Sequence, residues 1–186
     1  MQPKKLELID KNIFEKAVKK YRQTFETYGF PISELKTRFE ESTNQKNYAN
    51  TSDLVWSLFQ ELLLKAGQQS KTEYELYEGQ WKIYAAMLDF RRKTEKSKAN
   101  EILQLHLKAY VQMSSAQSTL NLKCEIISGA CCEYCNSLNG EKFEINEVLD
   151  KQFLGSKNCT NERGCNCCYS LVPERDSNGK LILNSK

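Results

Sequence analysis

The residues best equipped for chemistry in this 186-residue sequence are eight cysteines, all of them between Cys124 and Cys168. In order they are Cys124, the run Cys131-Cys132-Glu133-Tyr134-Cys135, an isolated Cys159, and the cluster Cys165-Asn166-Cys167-Cys168. Cys132 and Cys135 form a C-x-x-C knuckle, a spacing that brings two thiolates from one tight turn to a single tetrahedral ion. The second pair must come from Cys159, Cys165, Cys167 and Cys168. Cys165 and Cys168 make another C-x-x-C, while Cys165 and Cys167 make a C-x-C. The expected cofactor is one structural Zn2+, because thiolate sets suit zinc and iron–sulfur clusters use other runs of cysteine. Its candidate ligands are Cys132, Cys135, Cys159, Cys165 and Cys167. Four thiolates close the coordination sphere and leave no place for a reactive water. Cys131 and Cys168 stand directly beside other candidates, where crowding disfavours a shared ion, and read as bystanders. Cys124 reads as a small core residue.

Several enzyme classes are disfavoured by what the sequence lacks, which leaves a hydrolase with unrecognised catalytic groups as the weakest reading. The single histidine is His106, far from the cysteines in sequence. A zinc nuclease of the His-Asn-His type needs a catalytic histidine among its knuckles, and a nucleophilic cysteine needs a base. The spacing of His106 from Ile102 and Tyr110 gives it a core-facing or interfacial place on a helix. No glycine-rich phosphate loop is present, and no βαβ pattern surrounds the C-x-x-C as a thioredoxin-like redox site would require. The first fifteen residues are polar and lack the apolar stretch of a secretory signal, so the expected location is a reducing compartment, the bacterial cytoplasm or a virion. No apolar run approaches the roughly 20 residues of a membrane span. Net charge is only +3, from 27 basic and 24 acidic residues, which excludes a strongly basic coat but allows a local patch. Arg91, Arg92, Lys93, Lys96 and Lys98 form such a patch and are the candidate nucleic-acid contacts, weighed against a solvated face or inter-helix turn.

The elements that must position these groups are mainly helical. Ile13, Ala17, Tyr21, Phe25 and Tyr28 recur at helical steps, with Asp10 as cap and Gly29 and Pro31 as stop. A shorter helix runs from Ser33 to Phe39, and residues 44–50 form a loop. Ser52 then opens a helix that Gly67 ends. From Thr72 to Met113 the pattern fits one long helix or two joined at the charged stretch, and a hairpin or small bundle is expected. After Leu120 the texture changes. Leu122, Cys124 and Ile126 alternate as a strand, and Asn139-Gly140 before Lys142–Ile145 is a hairpin signal. Asn146–Phe153 reads as a short helix and Tyr169–Val172 as a closing strand. The expected fold is a helical bundle or hairpin over 1–120, a small α+β zinc-ribbon or treble-clef-like module over 121–175, and a flexible tail over 176–186.

Glu125-Ile126-Ile127, Cys132-x-x-Cys135, Leu138-Asn139-Gly140-x-x-Phe143, Cys159, Cys165-x-Cys167 and Tyr169-x-Leu171-Val172-Pro173 together resemble the C-terminal cysteine region of phage Mu F-type minor head (head morphogenesis) proteins and related bacterial and prophage proteins. The resemblance covers residues 125–173. It matches Cys132, Cys135, Cys165 and Cys167 to the family cysteines, with Cys159 where the family often has a histidine. It implies a non-enzymatic role in head assembly, with portal or capsid protein as partner and DNA as a further one. The alternative is a zinc protein that binds nucleic acid through residues 91–98.

Overall fold

The computed structural model describes residues 10–45, 48–130 and 132–184. It is mainly helical, with a small three-stranded sheet near the C-terminal end, as the sequence pattern indicates. The chain divides into two compact units between Gln69 and Ser70.

Unit one contains α1 (Lys11–Lys20), α2 (Arg22–Thr27), α3 (Ile32–Gln45) and α4 (Thr51–Gln69). Asp10 caps α1, its carboxylate accepting the N–H groups of Asn12 (2.7 Å) and Ile13 (3.3 Å). Ala17, Tyr21 and Phe25 of the expected stripe are buried together with Phe14, whereas Ile13 lies 41% exposed. Phe25 and Phe59 stack with ring centroids 5.5 Å apart, and Phe30, Leu35 and Leu62 complete a closed core around them. Gly29, at φ +100°, turns the chain as expected of a helix stop. Two boundaries differ from expectation. Helix α3 runs on to Gln45, well past Phe39, and α4 starts at Thr51, with the Asn50 side chain accepting the Asp53 N–H at 3.0 Å. Gly67 lies inside α4 because burial of Leu62 and Ala66 offsets the helix penalty of one glycine, about 1 kcal/mol.

Unit two opens with a helical hairpin, α5 (Glu73–Asp89) and α6 (Asn100–Gln117). Thr72 caps α5 through the Glu75 N–H. The chain leaves α5 by a π-helical turn over Phe90–Thr94, then reverses through Lys96 at φ +52°. The charged stretch is therefore an inter-helix connection. Beyond it lie β1 (Leu122–Ile127), α7 (Glu133–Ser137), β2 (Lys142–Glu144), α8 (Ile145–Lys151) and β3 (Cys168–Pro173). The sheet is antiparallel in the order β2-β1-β3, with Cys124 opposite Phe143 on one side and Leu171 on the other.

The Asn139-Gly140 hairpin expectation is corrected here. Leu138 follows a helix, not a strand, and β2 pairs back onto β1. The Asn-Gly pair turns the chain from α7 into β2. Gly140 (φ +82°) donates its N–H to Ile126 O, and Asn139 Oδ1 accepts the Ser128 N–H.

Across residue 120 the packing is continuous. Leu103, Leu107 and Val111 of α6 are buried in the same core as Cys124, Ile126, Val148, Leu154 and Tyr169, so hairpin and sheet share one interior. The described part of the expected tail is tied down. Arg175 bridges Leu181, Leu183 bridges Leu120, and Ile182 O and Thr119 O accept the N–H groups of Asn121 and Asn184. Glu73 and Tyr77 of α5 line a cavity of about 330 Å³ together with Asn121, Ile145 and Asn184. No helix among the described residues is long and apolar enough to cross a membrane.

Candidate metal centre

Three separate segments deliver thiols to one place in unit two. The first is the knuckle. Cys132 is the N-cap of α7, and its Sγ accepts the Cys135 N–H at 3.5 Å, which folds the C-x-x-C around its own first turn. The second is the loop after α8, where the Cys159 N–H bonds Ser156 O at 3.0 Å. The third runs through Cys165 and Cys167 into β3. Cys135, Cys159, Cys165 and Cys167 are buried, and Cys132 is half-buried.

Close backbone approach makes this convergence possible. A Cβ on Gly129 would lie 2.9 Å from Asn166 O, so only glycine lets the end of β1 lie against the Cys165–Cys167 segment. There the Gly129 N–H points at Cys167 Sγ, 3.3 Å away. Gly155, at φ +67°, meets the first turn of α6 in the same way, 2.9 Å from Asn100 O. Both backbone groups of Cys165 are gripped from the hairpin. Its N–H goes to Asn100 Oδ1 at 3.0 Å, and its carbonyl accepts from Arg92 Nη2 at 2.5 Å.

The Sγ atoms of Cys132, Cys135 and Cys159 lie within 4.8 Å of one another, and so do those of Cys135, Cys165 and Cys167. Cys132 and Cys159 are 3.8 Å apart, as are Cys135 and Cys165. Thiolates bound at about 2.3 Å stand about 3.8 Å apart along a tetrahedral edge. The cluster can therefore hold a metal ion.

The thiols carry different proton affinities. Burial opposes ionisation of Cys132, but N–H groups of Cys135 and Thr160 directed at its sulfur outweigh it and bring the thiol down to about 7. Burial pushes Cys135, Cys159 and Cys165 up, and neighbouring thiols add to the effect. Packed this closely, they become thiolates when a cation is present to neutralise them.

The structure thus brings Cys132, Cys135, Cys159, Cys165 and Cys167 together. Cys168 is exposed at the start of β3, Cys124 is buried in the sheet, and Cys131 lies outside the described residues. His106 packs on Trp81, with ring centroids 5.8 Å apart and Nδ1 3.1 Å from Trp81 O, and burial lowers its pKa. The basic stretch is largely engaged within the chain. Arg91 pairs with Glu95 at 2.8 Å, Lys93 pairs with Asp89 at 2.7 Å, and Arg92 turns inward to Cys165, while Lys96 and Lys98 are exposed. The supporting role of Asn100 was missed from the sequence, where it reads only as a residue near a helix start. No family model matches the chain, and no curated protein or solved structure matches it.

Proposed function

We propose that this chain is a non-enzymatic zinc-binding assembly protein, with structural zinc in the cysteine cluster fixing the fold of unit two. The observation that carries this reading is the convergence of five thiols from three segments, with sulfur–sulfur distances that match tetrahedral thiolate edges. Thiolate ligands favour a soft or borderline ion, and zinc adds no redox chemistry of its own. A role in phage or prophage head assembly, with portal or capsid protein as partner, rests on the resemblance carried by residues 125–173. The engagement of Arg91, Arg92 and Lys93 inside the chain weighs against nucleic-acid binding as the main activity.

Two measurements test the proposal. Protein purified under reducing conditions is expected to contain at least one equivalent of zinc, and a content well under half an equivalent overturns the zinc reading. Portal or capsid protein is expected to be retained on the immobilised full chain. DNA binding that weakens with salt and depends on Lys96 and Lys98, without such retention, would move the assignment to nucleic acid.

A further inference from the structure

We infer that the cluster holds two ions joined by a bridging Cys135 thiolate, an inference that rests on the reading that the cluster binds zinc. A single tetrahedral site needs four sulfurs in mutual reach, and among the described residues no four meet that condition. The sulfurs instead form two triangles, Cys132-Cys135-Cys159 and Cys135-Cys165-Cys167, with Cys135 a corner of both and Cys159 facing Cys165 between them. Each triangle is a face on which one ion can sit, with its fourth position not supplied by a described cysteine.

The hydrogen bonds separate Cys135 from the other four in the same way. Cys132 faces the N–H groups of Cys135 and Thr160, Cys159 that of Asn161, Cys165 those of Gly155 and Cys167, and Cys167 that of Gly129. Among the described residues none donates a backbone N–H to Cys135 Sγ, whose contacts are other sulfurs. Cys135 Sγ is fully buried and is the one sulfur common to both triangles, which is the place a bridging ligand occupies.

With two Zn2+ bound by five thiolates the cluster carries −1, which the Arg92 guanidinium, held against the Cys165 carbonyl with its Nε buried, offsets.

The test is native mass spectrometry of the full chain, reconstituted with zinc chloride under reducing conditions. The wild type is expected to saturate at two zinc ions per chain. Cys159→Ser and Cys167→Ser remove one corner from different triangles, and each is expected to retain one ion with its helical circular dichroism intact. Saturation of the wild type at one ion overturns the bridged pair and leaves the zinc reading standing. No zinc at all overturns both. Loss of both ions from either variant, with the helical signal preserved, also overturns the two-triangle arrangement.

Discussion

Cys124 lies on β1 between Phe143 and Leu171 with no exposed surface, and burial pushes its thiol up to about 12. Cys168, at the head of β3, is exposed. Iodoacetamide at neutral pH is therefore expected to label Cys168 and spare Cys124 in the folded protein, as read by peptide mass spectrometry. Labelling of Cys124 at a comparable rate would contradict its placement in the sheet. The same burial sets a pH dependence. The folded chain holds the Cys124 proton more tightly than the unfolded chain, so this contribution to stability is intact below the ordinary thiol value. It is lost as pH rises towards 12. Cys124→Ala should flatten that alkaline loss in denaturant titrations run from pH 8 to 11. The knuckle was legible in the sequence because Cys132 and Cys135 belong to one local turn. The grip on Cys165 was not, since Arg92 and Asn100 lie 73 and 65 residues away and no local pattern marks them.

Helix α6 has two tasks: its first residue supports a candidate ligand and its inner face fills the core under the sheet. Asn100→Ala removes the acceptor for the Cys165 N–H. Loss of a group that orients a metal ligand typically costs about 10- to 100-fold in affinity. Competition against a chromophoric chelator should show a drop of that order, with helical circular dichroism unchanged. Unaltered affinity would mean that Cys165 is fixed without the hairpin. The elements themselves were largely readable: the cap at Asp10, the helical pattern from Thr72 and the strands β1 and β3 all follow from local chemistry, while at the charged stretch the pattern fits one long helix or two. The Asn139-Gly140 turn was misread because a local signal marks a reversal of the chain but not which strand pairs beyond it. The long-range partner is β1, whose alternating apolar face must be covered.

The shared interior of hairpin and sheet would make the stability of the helices depend on any metal held by the cluster, within unit two. Leu103, Leu107 and Val111 pack in one cluster with Cys135, Cys159, Cys165 and Cys167, so cysteines that separated on loss of a bound metal would also uncover the inner face of α6. Trp81, stacked on His106, reports on this unit, and Trp56→Phe removes the only other tryptophan. In that variant, zinc chelation is expected to shift Trp81 emission to the red and to lower the helical signal. Unit one should keep a separate thermal transition. Unchanged Trp81 emission after complete zinc removal would show that the hairpin stands without the cluster. The texture change at residue 120 marks where strands begin, and the interior they cover extends back into α6.

Glu73, near the start of unit two, and Asn184, near its end, face one cavity. A block whose entry and exit lie side by side can be carried in a surface loop of another protein without pulling that protein's own elements apart. Cysteines, hairpin and closing segment would travel together as a cassette, and a rearranged chain order joining those ends would preserve the cysteine cluster.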